Sequence, residues 1–168
     1  MDGPGTHPTR RTVLAAGTGL AAAGLPGDRR RGARPGLAAA ATGPAALSAG
    51  ADLVMVSWAI YSHLDAAHPA GLASTVVQGE LRGRLGFTGV TVTDAIAAGA
   101  LSALGTIGQN AVAAAAAGMD LVLEASGSVA NGQAVVSALA TALQNGSLDA
   151  TAFGAARGRV NALRSRLF

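Results

Sequence analysis

The sequence predicts an α/β fold in which short parallel strands alternate with helices built from small residues. Residues 53–57 and 89–93 are runs of apolar or β-branched side chains, each followed by a helical pattern, which is typical of buried parallel strands. Residues 120–125 form a third such run after an alanine-rich segment that Gly118 closes. Half of the 168 residues are apolar and only 3% are aromatic, as expected for small-residue helices packed on a sheet.

The N-terminal segment, residues 1–41, has the features of an export signal and linker. Arg10 and Arg11 directly precede an uncharged apolar run, residues 13–25, that is too short to span a bilayer comfortably, and this arrangement resembles a twin-arginine signal. We therefore expect an extracellular or cell-envelope protein whose folded part is residues 42–168, with no stable membrane span. The alternative is a disordered basic leader with no export role.

Cysteine content and charge exclude several classes of function for this chain. The chain has no cysteine, so it has neither a disulfide framework nor a thiolate metal site. Its basicity is confined to residues 1–41, whose net charge is +4, whereas residues 42–168 carry a net charge of −1. The folded part has no basic face and few aromatic side chains to stack on bases, so we expect no nucleic-acid partner.

The helical pattern predicts which side chains face the core. In the third predicted helix we expect Val135 and Val136 to turn inward, and in the last helix we expect the arginines to lie on a solvated face. The predicted helices cover residues 72–85, 110–117, 134–144 and 150–167.

Asp94 is the carboxylate whose position points most directly to chemistry. It stands where the strand of residues 89–93 ends, and α/β folds keep their chemistry at that end of their strands. Burying a carboxylate there costs free energy unless the charge is used or paired. The structural alternative is an unrelated small α/β domain in which this aspartate caps the next helix.

Three further side chains lie near predicted strand ends. Trp58 follows the strand of residues 53–57, where the CH groups of a sugar can pack on the indole plane; the alternative is ordinary rim packing. Glu124 lies near the end of the third strand and is the other acid placed to face Asp94. Asp120 opens that strand, and we expect it to be structural.

The histidines do not predict a metal centre. His63 and His68 flank Asp65, but Pro69 breaks any helix that would align them, and no further ligands stand at suitable spacing. We expect solvated loop histidines.

Three ordered segments resemble family 3 glycoside hydrolases, especially their β-N-acetylhexosaminidase branch. LRGRLGFTGVTVTD, which ends at Asp94, resembles the segment whose last aspartate attacks the anomeric carbon in that family. VMVSWAIYSHLDAAHPAGLAST, residues 54–75, is similar to the strand and loop upstream, and AGMDLVLEAS, residues 117–126, to the last barrel strand. The resemblance implies the last part of a (β/α)8 barrel with Asp94 as nucleophile. Trp58 stands where hexosaminidases usually carry histidine.

The resemblance also implies a function and a missing part. It implies a retaining hydrolase of β-linked N-acetylglucosaminides or glucosides, with a carbohydrate substrate and no cofactor. The family's acid/base His–Asp pair lies in a segment like KHFPGHG…DSH, and this chain has neither that segment nor any lysine.

The leader is followed by about 120 residues, against roughly 250 for the barrel, so we expect three of eight strands and a truncated chain that is weak or inactive alone. The alternative is a noncatalytic exported remnant or carbohydrate-binding module. The sequence indicates no oligomeric state.

Overall fold

A parallel sheet of four short strands, in the order β1-β2-β3-β4, forms the centre of the structure. The computed structural model describes residues 14–16, 47 and 50–166. Within them the strands are β1 (Leu14–Ala16), β2 (Leu53–Val56), β3 (Val90–Ala95) and β4 (Leu121–Leu123). The helices are α1 (Ile107–Ala117), α2 (Val129–Gln144) and α3 (Ala150–Arg164), with a π-helix at Thr75–Arg84 and 3-10 turns at Ala70–Leu72 and Gly99–Leu101. The predicted α/β fold with parallel strands is confirmed.

Strand register divides the sheet into a helix-covered face and an opposite face. The β3 side chains Thr91 and Thr93 are fully buried, and they stand beside the buried Val54 and Val56 of β2. Between the paired positions Val92/Leu121 and Ala95/Leu123, β3 has one more residue than β4, and Asp94 lies in this irregular part of the ladder.

β1 is a strand that the sequence analysis did not predict. Its residues lie in the apolar run assigned above to the export signal, and they pair in parallel with Val54, Met55 and Val56 of β2. The expected number of three strands is therefore wrong, because an apolar run has added to the hydrogen-bonding edge of β2. The rest of the predicted signal lies outside the described residues, so its assignment stays a prediction.

Two apolar clusters hold the helices on the sheet. Ala111 and Ala114 of α1 are fully buried, and their small side chains let α1 lie close to its neighbours. The first cluster joins β2, the π-helix and α1, and its buried members are Val54, Val56, Ala70, Val77, Phe87, Ala114 and Met119. The second cluster joins the loop after β3 to α1 and α2, and its buried members are Ile96, Leu101, Ala111 and Val135.

Side-chain caps make two helices begin earlier than predicted. α1 begins at Ile107 because Thr106 and Gln109 form a reciprocal capping box, in which each side chain accepts the backbone N–H of the other. α2 begins at Val129 because the Ser128 side chain caps it. None of the described helices is long and apolar enough to cross a bilayer.

Two further helix predictions need correction. The helix predicted at residues 72–85 is divided into a 3-10 turn and the π-helix, in which the N–H of Leu85 donates to Glu80 O, five residues earlier, at 2.9 Å. Val136 was expected to turn inward but is 61% exposed, whereas Val135 is buried. Val136 lies about 100° around the helix from Val135, and α2 packs on one side.

Two glycines set the turn between the π-helix and β3. Gly86 has a φ of +67°, the left-handed conformation expected at a helix C-terminus. A Cβ on Gly89 would lie 2.6 Å from the carbonyl oxygen of Asp52, so only glycine lets β3 start this close to β2.

The carboxylate of Asp120 ties the amino-terminal end of the sheet to two helices. Its Oδ2 accepts from Arg82 Nη2 at 2.7 Å and from the N–H of Thr91 at 2.8 Å, and its Oδ1 accepts from Arg159 Nη2 at 2.7 Å. The Asp120 side chain has no exposed surface, so it has the structural contacts predicted for it.

The ion pairs of Asp120 change the expectation that all the arginines of α3 lie on a solvated face. Arg159 is not on a solvated face, because it neutralises the buried carboxylate of Asp120. Burial lowers the pKa of the Arg82 guanidinium, while the Asp120 charge counteracts that shift.

Candidate active site

Asp94 is the penultimate residue of β3, at the carboxyl-terminal edge of the sheet. Its side chain is half-buried, and its Oδ1 accepts the N–H of Ala95 at 2.7 Å. The predicted strand-end position is therefore confirmed to within one residue. The alternative role as a helix cap is wrong, because Ala98 precedes the next 3-10 turn and Thr106 caps α1.

Trp58 approaches the same strand end through a hydrogen bond from its side chain to the backbone. Its Nε1 donates to the carbonyl oxygen of Ala95 at 3.0 Å. On the other side, the N–H of Ile96 donates to the carbonyl oxygen of Leu123 at the end of β4, at 2.8 Å. The structure thus brings Trp58 and Asp94, the two site residues predicted from the sequence, together through Ala95.

Gly71 closes one side of the Trp58 ring. A Cβ at this position would lie only 2.6 Å from Cζ3 of Trp58. The backbone of the 3-10 turn is held there, because the N–H of Ala70 donates to Ala59 O at 2.9 Å and that of Gly71 donates to Ser57 O at 3.3 Å. The ring also packs against the second core cluster, so Trp58 does have the rim packing of the alternative interpretation. Its contact with a sugar stays a prediction.

Asp65 organises the loop that carries the two histidines. Its Oδ1 accepts the N–H groups of Ala67 at 2.9 Å and His68 at 3.0 Å, and His68 Nδ1 lies 3.0 Å from Oδ2. The bond from the Ala67 N–H, followed by the His68 side chain, lowers the pKa of Asp65. Among the described residues, no group of three or more acids and histidines is arranged to hold a metal ion.

Glu124 interacts with its own loop. Its Oε1 accepts the N–H of Ser126 at 3.0 Å, and the hydrogen bonds with Ser126 lower the pKa of Glu124. These contacts explain a carboxylate at this position without a partnership with Asp94.

Asn110 is a buried polar residue near the site that the sequence analysis did not identify. Its Nδ2 donates to the carbonyl oxygens of Leu101 and Gly105, both at 3.2 Å, and so holds the segment between β3 and α1. A cleft of about 210 Å³ beside this segment is lined in part by Ile96 and Asn131. The signal in the sequence was an amide at the start of an alanine-rich apolar run, residues 111–117.

The fold and the site define a class of protein: a parallel α/β protein that carries a candidate catalytic carboxylate at the carboxyl-terminal edge of its sheet. Residues 42–163 match the model of the glycosyl hydrolase family 3 N terminal domain. The chain belongs to this family, and the resemblance described from the sequence is confirmed.

Individual relatives agree with this assignment. A protein from Arthroderma benhamiae, named as a secreted glycosyl hydrolase, is 46% identical over 122 residues, which are 73% of this chain and 35% of the relative. A β-hexosaminidase from Xylella fastidiosa is 38% identical over 79 residues, 47% of this chain and 23% of the relative.

A solved structure shares the fold. The family 3 β-N-acetylglucosaminidase of a Paenibacillus species superposes with a TM-score of 0.71 at 34% identity, over 73% of this chain and 23% of that chain. The chain therefore spans about a third or less of the length of these three relatives.

Proposed function

We propose that this chain is a glycoside hydrolase domain that cleaves β-linked N-acetylglucosaminides or glucosides by a retaining mechanism, with Asp94 as the nucleophile. The observation that carries the proposal is the half-buried position of Asp94 near the end of β3, in a chain matched to the family over residues 42–163. Relatives named as a β-hexosaminidase and a β-N-acetylglucosaminidase support N-acetylglucosaminides as the first substrates to test. The proposal includes no cofactor.

The proposal also includes the fold around the site and the location of the protein. The sheet of adjacent parallel strands supports a partial (β/α)8 barrel, whose active site lies at the carboxyl-terminal ends of its strands. A relative named as secreted supports export, and we assign this to the twin-arginine-like segment of residues 1–41, with an extracellular or cell-envelope destination.

Asp94 acts as a nucleophile in the proposed first step. A carboxylate oxygen attacks the anomeric carbon while the bond to the leaving oxygen breaks and its electron pair departs with that oxygen. Because Oδ1 accepts the Ala95 N–H, we assign the attack to Oδ2. Water then attacks the anomeric carbon of the glycosyl-enzyme, the Asp94 carboxylate departs with the electron pair of the broken bond, and the proton of the water passes to solvent as the sugar is released. In this scheme Trp58 binds the substrate at the sugar rim, with its ring against the CH groups of the pyranose.

Protonation of the leaving oxygen is the step that limits the hydrolytic activity of the chain. An unactivated glycoside needs a general acid, whereas a nitrophenolate leaves as a stable anion. The chain contains no segment like the His–Asp acid/base loop of the family. We therefore expect the chain to be weak or inactive alone on natural glycosides. The same observation favours the second candidate function, a noncatalytic exported remnant or carbohydrate-binding module that uses Trp58.

Two substrates and three proteins test these functions. The purified chain, Asp94→Ala and Glu124→Gln are each given a nitrophenyl β-N-acetylglucosaminide and an unactivated β-linked disaccharide of N-acetylglucosamine. Glu124→Gln is the matched control, because it changes a carboxylate at the end of β4 that interacts with its own loop. We expect slow release from the aryl substrate, lost in Asp94→Ala and kept in Glu124→Gln, with the disaccharide intact.

The other outcomes assign the chain differently. Cleavage of both substrates would show that an acid reaches the site from a group not identified above. No turnover by a folded chain, together with sugar binding that survives Asp94→Ala, would support the carbohydrate-binding module and overturn the nucleophile.

A further inference from the structure

We propose that Trp58 is a positioning residue for Asp94, because its indole N–H holds the carbonyl of Ala95, the residue whose own N–H contacts the nucleophile. This inference rests on the proposed role of Asp94 and gives Trp58 a task that acts through another residue, in addition to any contact with the sugar.

The peptide group between Ala95 and Ile96 is held at both of its polar atoms. Its carbonyl oxygen accepts from Trp58 Nε1 at 3.0 Å, and its N–H donates to the carbonyl oxygen of Leu123 at 2.8 Å. The two bonds come from the segments that follow β2 and end β4, on opposite sides of β3. Rotation of this peptide group would break both bonds, so its orientation is set by the flanking strands.

Ala95 links this peptide group to Asp94. The N–H of Ala95 donates to Asp94 Oδ1 at 2.7 Å. This N–H belongs to the preceding peptide group, which shares the Ala95 Cα with the held one. Holding the Ala95 carbonyl therefore restricts rotation about the two Ala95 backbone bonds and with it the direction of the N–H that contacts the carboxylate. Without the indole donor the half-buried carbonyl of Ala95 must find water or turn, and Oδ1 loses a fixed partner.

The indole donor is itself held in place. A Cβ on Gly71 would lie 2.6 Å from Cζ3 of Trp58, which shows how closely the turn of residues 70–72 covers the ring. The ring also packs against the second core cluster, which includes Ile96 and Val135. A side chain packed in this way holds its N–H at a constant position, which is what a positioning residue requires.

Variants of Trp58 separate the N–H from the ring. Trp58→Phe keeps an aromatic ring and removes the donor. Trp58→His keeps an N–H at a similar reach from the backbone. Val135→Ala is the matched control, because it weakens the same apolar cluster and leaves the indole N–H intact. Gly71→Ala is a second way to break the hydrogen bond between Trp58 and Ala95, since its added Cβ displaces the indole ring while the N–H donor remains.

Amide hydrogen exchange in the full-length chain measures the positioning directly. In the ¹⁵N-labelled protein we expect the Ala95 and Ile96 amides to exchange about tenfold faster in Trp58→Phe, a local opening, while exchange in the cores of α1 and α2 is unchanged. Trp58→His and Val135→Ala should keep slow exchange, and Gly71→Ala should resemble Trp58→Phe. Unchanged exchange of both amides in folded Trp58→Phe, or equal acceleration in Val135→Ala, would overturn the inference.

Kinetics on the nitrophenyl substrate connect the peptide group to the chemistry. Misorientation of a nucleophile impairs the chemical step more than binding, so in Trp58→Phe we expect kcat to fall about tenfold or more with KM within about twofold. Recovery in Trp58→His would support the N–H as the cause, whereas a rise in KM alone would assign Trp58 to substrate binding only. If the wild-type chain shows no turnover, the nucleophile proposal fails, and the exchange data still decide whether Trp58 orients Ala95.

Discussion

Asp120 has a side chain with no exposed surface, yet it carries a charge. A buried carboxylate is tolerated when cations and N–H donors surround it, and here Arg82, Arg159 and Thr91 supply them. Within the described part of the chain, Nε of Arg82 is buried without a hydrogen-bond partner, so the network is already short of one acceptor. Loss of the carboxylate would leave two arginine side chains facing each other without a counter-charge.

We therefore expect Asp120→Asn to lower the free energy of unfolding by about 3–5 kcal/mol, the usual cost of breaking one side of a buried ion pair. Urea denaturation followed by circular dichroism measures this change.

Asp52→Asn is the matched control for this prediction. Asp52 pairs with Arg166 at 2.9 Å, but the Arg166 side chain is 56% exposed, so the expected change is below about 1 kcal/mol. Similar losses in the two variants would show that burial does not set the strength of the Asp120 network.

At the scale of elements, the contact between α1 and α2 depends on small side chains. A Cβ on Gly108 of α1 would lie 2.9 Å from the Ala138 Cβ and 3.3 Å from the Ala134 carbonyl oxygen on α2. A Cβ added to Gly132 of α2 would have no heavy atom within 4 Å. Two glycines in neighbouring helices thus have opposite surroundings.

This contrast predicts opposite effects for the same substitution. Gly108→Ala should force the helices apart and destabilise the chain by about 1–3 kcal/mol, as overpacking does. Gly132→Ala should stabilise it by about 0.5–1 kcal/mol, because alanine loses less backbone entropy in a helix. Thermal unfolding of the two variants beside the wild type is the measurement. A Gly108→Ala chain as stable as Gly132→Ala would mean that the two helices are not in close contact.

At the scale of the whole molecule, acid should weaken the fold through two loop carboxylates. The pKa of Asp65 is lowered by the Ala67 N–H and His68, and that of Glu124 by Ser126. A lowered pKa in the folded state means that the charged form stabilises the fold. The contribution is therefore present at neutral pH and is lost as the pH falls below the ordinary carboxyl values of 3.8 and 4.5.

We expect the wild-type melting temperature to fall more steeply than that of the double variant Asp65→Asn/Glu124→Gln between about pH 5 and pH 2. The double variant should be the less stable protein at pH 7 and should approach the wild type at the acid end. Ser62→Ala, a change in the same loop without a titrating group, serves as the control. Parallel curves for the wild type and the double variant would contradict the prediction.

Local patterns in the sequence predicted the parts of the molecule that local physics determines. The parallel strands of residues 53–57 and 89–93 are found within two residues of their expected bounds, and Asp94 follows from the position of its strand. Helix starts were missed where a side-chain cap extends the helix, as at Thr106.

Contacts between distant residues could not be predicted. Trp58 was selected because it follows a strand, but its bond to Ala95 joins residues 37 positions apart. The partners of Asp120 are 38 and 39 positions away along the chain, and their residue types look like ordinary surface arginines on helical patterns. Nothing in the local pattern distinguishes Arg159 from the solvated arginines of α3, because only the docked helix brings it to the carboxylate.

The order of synthesis on the ribosome gives the Asp120 network a further consequence. Arg82 and Thr91 are made before Asp120, so Oδ2 has its partners as soon as β4 emerges. The cation for Oδ1 belongs to Arg159 and arrives 39 residues later. A nascent chain that lacks α3 would leave Oδ1 of this carboxylate without its arginine partner. The network around Asp120 is therefore complete only once α3 has been made.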